Sequence, residues 1–185
     1  GNTSVSLTTP VQPTVSVGAS GGALTAATYY VWCVALTYEG YRNSSVANGV
    51  ATSQTITGAD GLTYTLSGGS SNISPVSSGQ AVTGAQTLRA SVTAVSGAIA
   101  YAWYVSVGAA TAGTAFLQTI TTINSVEFTT AIVTTGTQLA TAITGNNSTN
   151  SLAYDGLLYQ AFASGSGAYI QTQATGTAGT GTPLT

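Results

Sequence analysis

Thr28-Tyr29-Tyr30-Val31-Trp32-Cys33-Val34-Ala35-Leu36-Thr37 decides the fold. Side chains alternate across a strand, so Tyr30, Trp32, Val34 and Leu36 share one face while Tyr29, Val31, Cys33 and Ala35 share the other. Both faces are apolar and rich in aromatic and β-branched residues, which suit pleated sheet better than helix. Such a strand is expected in the middle of a sheet, with one face on the core and the other partly covered. A turn is expected at Glu39-Gly40, which follows it.

Outward from this strand the chain keeps the same character. Leu88 to Val95 alternates as a strand, Ser96-Gly97-Ala98 reads as a turn, and Ala100 to Val107 is a second aromatic strand. Leu117 to Ile123 and Val126 to Thr130 read as two more strands around Asn124-Ser125, so this half is expected to be a meander with one Trp at its centre. Toward the N-terminus, Ser4-Val5-Ser6-Leu7 and Thr14-Val15-Ser16-Val17 alternate apolar and hydroxyl side chains. Pro10 and Pro13 interrupt them, and Pro cannot donate to a ladder, so these strands belong at an edge. Gly- and Ser-rich clusters at 18–22, 67–72, 145–150 and 164–167 read as turns, as do Asp60-Gly61 and Asp155-Gly156. No stretch carries a sustained helical period. The pattern is all-β, of sandwich type.

Past residue 132 the composition shifts to Thr, Ala and Gly. Leu139 to Ile143 and Leu157 to Phe162 are ambiguous between strand and helix, and Thr175 to Thr185 reads as an extended linker into a larger parent. The expected organisation is a sandwich over residues 1–132, built from two similar halves, and a Thr/Gly/Ala-rich β or extended segment over 133–185. The start, Gly1 to Ser4, has neither a basic region nor an apolar stretch, so no signal peptide is expected. No run of 18 apolar residues is present, so no membrane helix is expected.

Charge then removes whole classes of chemistry. Of 185 residues only Glu39, Arg42, Asp60, Arg89, Glu127 and Asp155 are charged, with no Lys, His or Met. Ordinary soluble domains are about 25% charged. Two arginines cannot neutralise the phosphates of a nucleic-acid site. Without His or Lys, the usual base beside a Ser or Cys nucleophile is missing, and a phosphate loop lacks its Lys. One Cys and four scattered acids give no metal-ligand cluster. The reading is a non-enzyme, with no catalytic, cofactor-binding or metal residues, no cofactor, and ligand-binding residues left unassigned. Hydrophobic residues make up 43% of the chain, so it can bury a core and does not have the composition of a disordered segment. Cys33 reads as a small buried hydrophobe.

Aromatic side chains carry what binding potential remains. Tyr29, Tyr30, Trp32, Tyr101, Trp103 and Tyr104 read either as a sugar-stacking platform or, the favoured reading, with Trp32 and Trp103 in the core. Tyr38, Tyr41 and Tyr154 lie beside turns and are better placed for contact. Among the acids, Asp60 and Asp155 precede Gly as turn residues do. Folding can pair Glu39 with Glu127, but no spacing supports a glycosidase pair. The Asn-x-Ser/Thr matches at Asn2, Asn43, Asn72, Asn146 and Asn147 are expected by chance in a chain so rich in Ser and Thr.

Two phrases carry a family resemblance. Ala23 to Gly40 resembles the "aaGTYyYrVtAvn-x-xGES" phrase of fibronectin type III-like and immunoglobulin-like domains, and Val95 to Val105 resembles their "V-x-GA-x-x-Y-x-VYr" strand pair. In order, they resemble the sandwich modules of tailed-bacteriophage virion proteins, of capsid or tail. Asn150 to Leu158, Gly165 to Tyr169 and Gly179 to Thr185 are similar to a stretch of phage major capsid-type proteins in which an immunoglobulin-like part joins the shell-forming fold. The resemblance implies an immunoglobulin-like antiparallel β-sandwich. Too few residues precede the first phrase for a complete domain, so a rearranged strand order is expected. It further implies a structural domain projecting from a capsid, in a virion assembled in the bacterial cytoplasm. Its partners would be other virion subunits in a homo-oligomeric assembly, with no nucleic acid and no membrane. The alternative it leaves is a receptor- or carbohydrate-binding module of a tail fibre or bacterial adhesin, which would contact bacterial surface glycans.

Overall fold

The two aromatic stretches pair with each other. In the computed structural model, which describes residues 7–57, 61–67, 69–139, 161–164 and 167–170, Tyr29 to Leu36 runs antiparallel to Ala100 to Val107, with Trp32 opposite Tyr104 and Cys33 opposite Trp103. Among the described residues the strands are β1 (Thr14–Leu24), β2 (Ala27–Leu36), β3 (Ser53–Thr57), β4 (Thr63–Ser67), β5 (Gln80–Val82), β6 (Gln86–Ser91), β7 (Ala100–Val107), β8 (Phe116–Thr121), β9 (Ser125–Phe128), β10 (Ala161–Ser164) and β11 (Gly167–Ile170). A short helix, α1 (Tyr38–Asn43), follows β2. One sheet has the order β5-β2-β7-β8 and the other β1-β6-β9, all antiparallel; β3 pairs with β4, and β10 with β11.

The fold is an all-β sandwich. One face of β2 and β7 (Val31, Cys33, Ala35, Tyr101, Trp103, Val105) packs against Leu24, Leu88, Ala90 and Phe128 of the three-stranded sheet. The opposite face (Trp32, Val34, Leu36, Ala102, Tyr104) is buried too, under Ile73, Val76, Ala115, Leu117 and Leu139. The expected central strand, apolar on both sides, is therefore observed. Packing continues through Leu139, whose N–H donates to the carbonyl of Ala115. As expected, the strand that follows Pro10 and Pro13, β1, lies at an edge. Ser4 to Ser6, Asp60, and residues 140–160, 165–166 and 171–185 lie outside the described residues.

Three expectations change. The second half is not a meander: β6 and β7 lie in different sheets, β8 stays beside β7, and the chain then crosses back so that β9 joins β6. The two layers share one apolar core, and successive strands that line it from opposite sides must cross between sheets. At Glu39-Gly40 there is a helix rather than a turn, because the Thr37 hydroxyl accepts from the Gly40 N–H at 3.1 Å and caps it. The 18–22 glycine cluster is not a turn either. It lies inside β1, where the register with β6 shifts twice, and its glycines admit a close backbone approach. A Cβ on Gly22 would stand 2.1 Å from the Gln86 carbonyl oxygen. Gly22→Ala is expected to cost about 1–3 kcal/mol, the usual range for overpacking, and a urea melt would measure it.

Residues 69–77 supply what the short strand β5 does not. Ser71, Ser74 and Ser77 each make two bonds to one residue of β2. The Ser77 N–H donates to the Val31 carbonyl (2.9 Å) while its hydroxyl accepts from the Val31 N–H (2.9 Å). Ser74 does the same with Cys33 (2.9 and 3.0 Å), and Ser71 with Ala35 (2.8 and 2.9 Å). Three residues of this segment thus match two of β2, with hydroxyls standing in for the carbonyls of a regular partner strand.

Candidate functional site

The three-stranded sheet turns a polar face outward. Its register aligns Ser16, Arg89 and Glu127 in one row and Thr14, Ser91 and Ser125 in another. Beside this face, an open cleft of about 890 Å³ runs between β9 and β8, walled on the far side by Gln118, Thr119, Thr121, Ile132 and Val133. Gln118 fixes that wall: its side-chain amide donates to the Val133 carbonyl and accepts from the Val133 N–H, both at 2.8 Å.

Within the cleft the charges satisfy each other. Glu127 accepts from the Thr87 hydroxyl at 2.7 Å and lies 3.2 Å from Arg89 Nε. The Thr87 bond first, and then Arg89, hold its carboxyl below the ordinary 4.5. A depressed folded value contributes stability above the unfolded pKa and loses it as pH falls through the lower, folded one. The difference in melting temperature between the parent and Glu127→Gln is therefore expected to shrink between roughly pH 6 and pH 3. A difference that widens on acidification would contradict the assignment.

The other two described charges pair as well. Arg42 lies 3.6 Å from Glu39 within α1 and stacks over Tyr38, 5.7 Å from the ring centroid. Glu39 and Glu127 thus sit on different elements, each beside its own arginine, and the fold does not assemble them into an acid pair. Among the described residues no group of three His, Cys, Asp or Glu could hold a metal ion, and no helix is long and apolar enough to cross a membrane.

The aromatic platform is not assembled. Tyr29, Trp32, Tyr101, Trp103 and Tyr104 are buried, and Tyr30 is half-buried against the second core. Burial pushes the Tyr104 hydroxyl up to about 12 and raises the Cys33 thiol beyond the range where it ionises. Two tyrosines instead anchor the crossings between sheets. Tyr29, at the start of β2, donates to the Thr25 carbonyl at 2.8 Å. Tyr101, at the start of β7, accepts from the Val95 N–H at 2.9 Å. Tyr38 and Tyr41 are exposed on α1; Tyr154 lies outside the described residues.

No family model, curated protein or solved structure matches the chain.

The described surface that adjoins the cleft presents hydroxyls, amides and small aliphatics, and its one carboxylate is neutralised by a neighbour. Two features escaped the sequence reading. The cleft joins residues of β1 and β6 to those of β8 and β9, from Thr14 to Val133 along the chain. The serine segment did carry a signal, Ser-x-x-Ser-x-x-Ser with Ile73 and Val76 at the same period of three, hidden inside what reads as a turn-rich stretch.

Proposed function

We propose that the chain is a non-enzymatic structural module, an immunoglobulin-like domain of a tailed-phage virion protein, projecting from the capsid and working by contact with neighbouring subunits. One observation carries the contact reading: the four described charges close into two local pairs, and the largest aromatic rings are buried. Charged surfaces keep proteins apart in solution, whereas the centres of protein interfaces are depleted of charge. A surface of hydroxyls and small aliphatics costs less to dehydrate on assembly than a charged one, provided the hydroxyls find partners. The immunoglobulin-like part is supported by Tyr101. A tyrosine at the start of a strand, bonded back to the backbone a few residues upstream, is a hallmark corner of such sandwiches, and it falls within the Val95 to Val105 phrase.

The virion assignment rests on the resemblance of the sequence phrases. Cryo-electron microscopy of the particle that carries the parent protein should display this sandwich as a repeated lattice element or protrusion. Its presence only at a tail tip, or in no particle, would sink the capsid reading. The second reading, a receptor- or carbohydrate-binding module, is favoured by the exposed Tyr38 and Tyr41 beside Arg42 on α1. Binding on a bacterial glycan array, abolished by a double Tyr38→Ala, Tyr41→Ala variant, would establish it in place of the first.

A further inference from the structure

The register leaves a free main-chain edge at the cleft. The Val92 N–H donates to the Asn124 carbonyl at 3.0 Å, and continuing the β6–β9 register places residue 92 opposite 124. Hydrogen-bonded pairs alternate in an antiparallel ladder, so Ala90/Val126 and Leu88/Phe128 are bonded as well. Ser125 and Glu127 must then direct their N–H and C=O groups the other way, into the side where the cleft lies. Among the described residues no second strand is laddered to β9; the edge ends at Thr129, whose carbonyl accepts from the Ala23 N–H of β1 at 2.9 Å, so the open part is Ser125 to Glu127, where the cleft gives it room.

Three other edges of the sandwich are blunted, that of β8 by the following chain, where the Leu117 N–H donates to the Thr137 carbonyl and the Leu139 N–H to that of Ala115, both at 2.8 Å. Beyond β5, the edge of β2 is closed by the serine segment, two of whose hydroxyls also bond their own chain: Ser71 donates to the Asn72 carbonyl and Ser74 to that of Pro75. The edge strand β1 begins just after Pro13 and breaks register at its glycines. An open edge facing a cleft is a template for strand addition.

The chemistry of the lining selects the occupant. Unpaired main-chain groups ask for a polypeptide strand. A sugar would need an exposed ring to stack on, and the aromatic residue of the lining, Phe128, is only 6% exposed. Since Arg89 and Glu127 satisfy each other and the walls are hydroxyl, amide and aliphatic, a charged strand would find no counter-charge. We propose that the β9 edge binds, by strand addition, an extended uncharged segment of a neighbouring subunit with alternating Thr or Ser and small aliphatic side chains. The proposal rests on the structural-module reading, for it supplies that reading with a contact.

Amide exchange read by NMR on the full chain tests it. In the free protein, Ser125 and Glu127 amides should exchange quickly while Val126 and Phe128 are protected by β6. Millimolar acetyl-Thr-Val-Thr-Ala-Thr-Val-Thr-amide should slow Ser125 and Glu127 by at least about tenfold, with shift changes around residues 118–133. The same peptide with Glu in place of Thr should not. Ser125→Pro removes an N–H that faces away from β6, at the first strand position, where proline is tolerated, and should abolish the effect without altering the circular dichroism. Should that variant not fold, Thr119→Lys on the opposite wall blocks the cleft without touching β9. Protection of both amides in the free chain, no response to the peptide, equal binding by the folded variants, or occupation by maltoheptaose instead would each overturn the proposal. None of these results bears on where the domain sits in a particle, which microscopy decides independently.

Discussion

Trp103→Ala is expected to lower the unfolding free energy by about 3–5 kcal/mol, a fall of roughly 6–20 °C in Tm for a chain of this length. Trp103 is fully buried, opposite Cys33 on the central strand pair, and faces the core shared by both sheets. Its Nε1 donates to the Thr121 hydroxyl on β8 at 2.8 Å, and its ring lies 6.5 Å from that of Tyr101. Removing the ring therefore opens a cavity at the centre of the sandwich and frees a hydroxyl at its edge. Trp103→Phe keeps most of the packing and should lose only about 1–2 kcal/mol, chiefly the hydrogen bond and a small void. Thermal melts of the pair separate the two contributions. A Trp103→Ala variant as stable as its parent would mean that the ring does not hold the layers together.

The second large effect is expected from replacing Ser71, Ser74 and Ser77 together by Ala. Each hydroxyl is the acceptor for a buried N–H of β2, and leaving such a donor unsatisfied costs about 1–3 kcal/mol. The three lie along one zipper, so their losses are coupled rather than additive. A total of at least about 3 kcal/mol is expected, enough to leave a marginal domain largely unfolded. Ser78→Ala, at an exposed neighbour, should stay within about 0.5 kcal/mol. Hydrogen exchange would show faster exchange at Val31, Cys33 and Ala35 before any loss of the β6–β9 ladder. If the triple variant melts like the parent, the hydroxyls are not the acceptors that β2 needs.

Much of the sandwich was legible because strand alternation is a local property. Tyr29 to Leu36 and Ala100 to Val107 alternate with two apolar faces, and each face found its own cover. Less legible was whatever depends on partners distant in the chain. Leu117 to Ile123 and Val126 to Thr130 read as neighbours, yet β8 and β9 joined different sheets, since nothing in either strand states which layer it will line. The glycines at 18–22 looked like a turn because the sequence does not show the Gln86 backbone that Gly22 must approach. Thr37 before Tyr38 was a capping signal that a six-residue helix is too short to support by periodicity. Of the candidate site, only the lack of His, Lys and clustered acids was readable in advance. The cleft, and the pairing of Glu127 with Arg89 rather than with Glu39, are products of register.

The matching of three residues in 69–77 to two in β2 works like a vernier scale. A single inserted or deleted residue on either side would throw every serine beyond it out of step, whereas adding two residues to β2 together with an in-phase Ser-x-x triplet would restore all the bonds. Length changes in these two segments are therefore coupled in the ratio of two to three. Between the serines, the exposed Pro75 offers a site where a foreign side chain can be displayed while the serines keep the count.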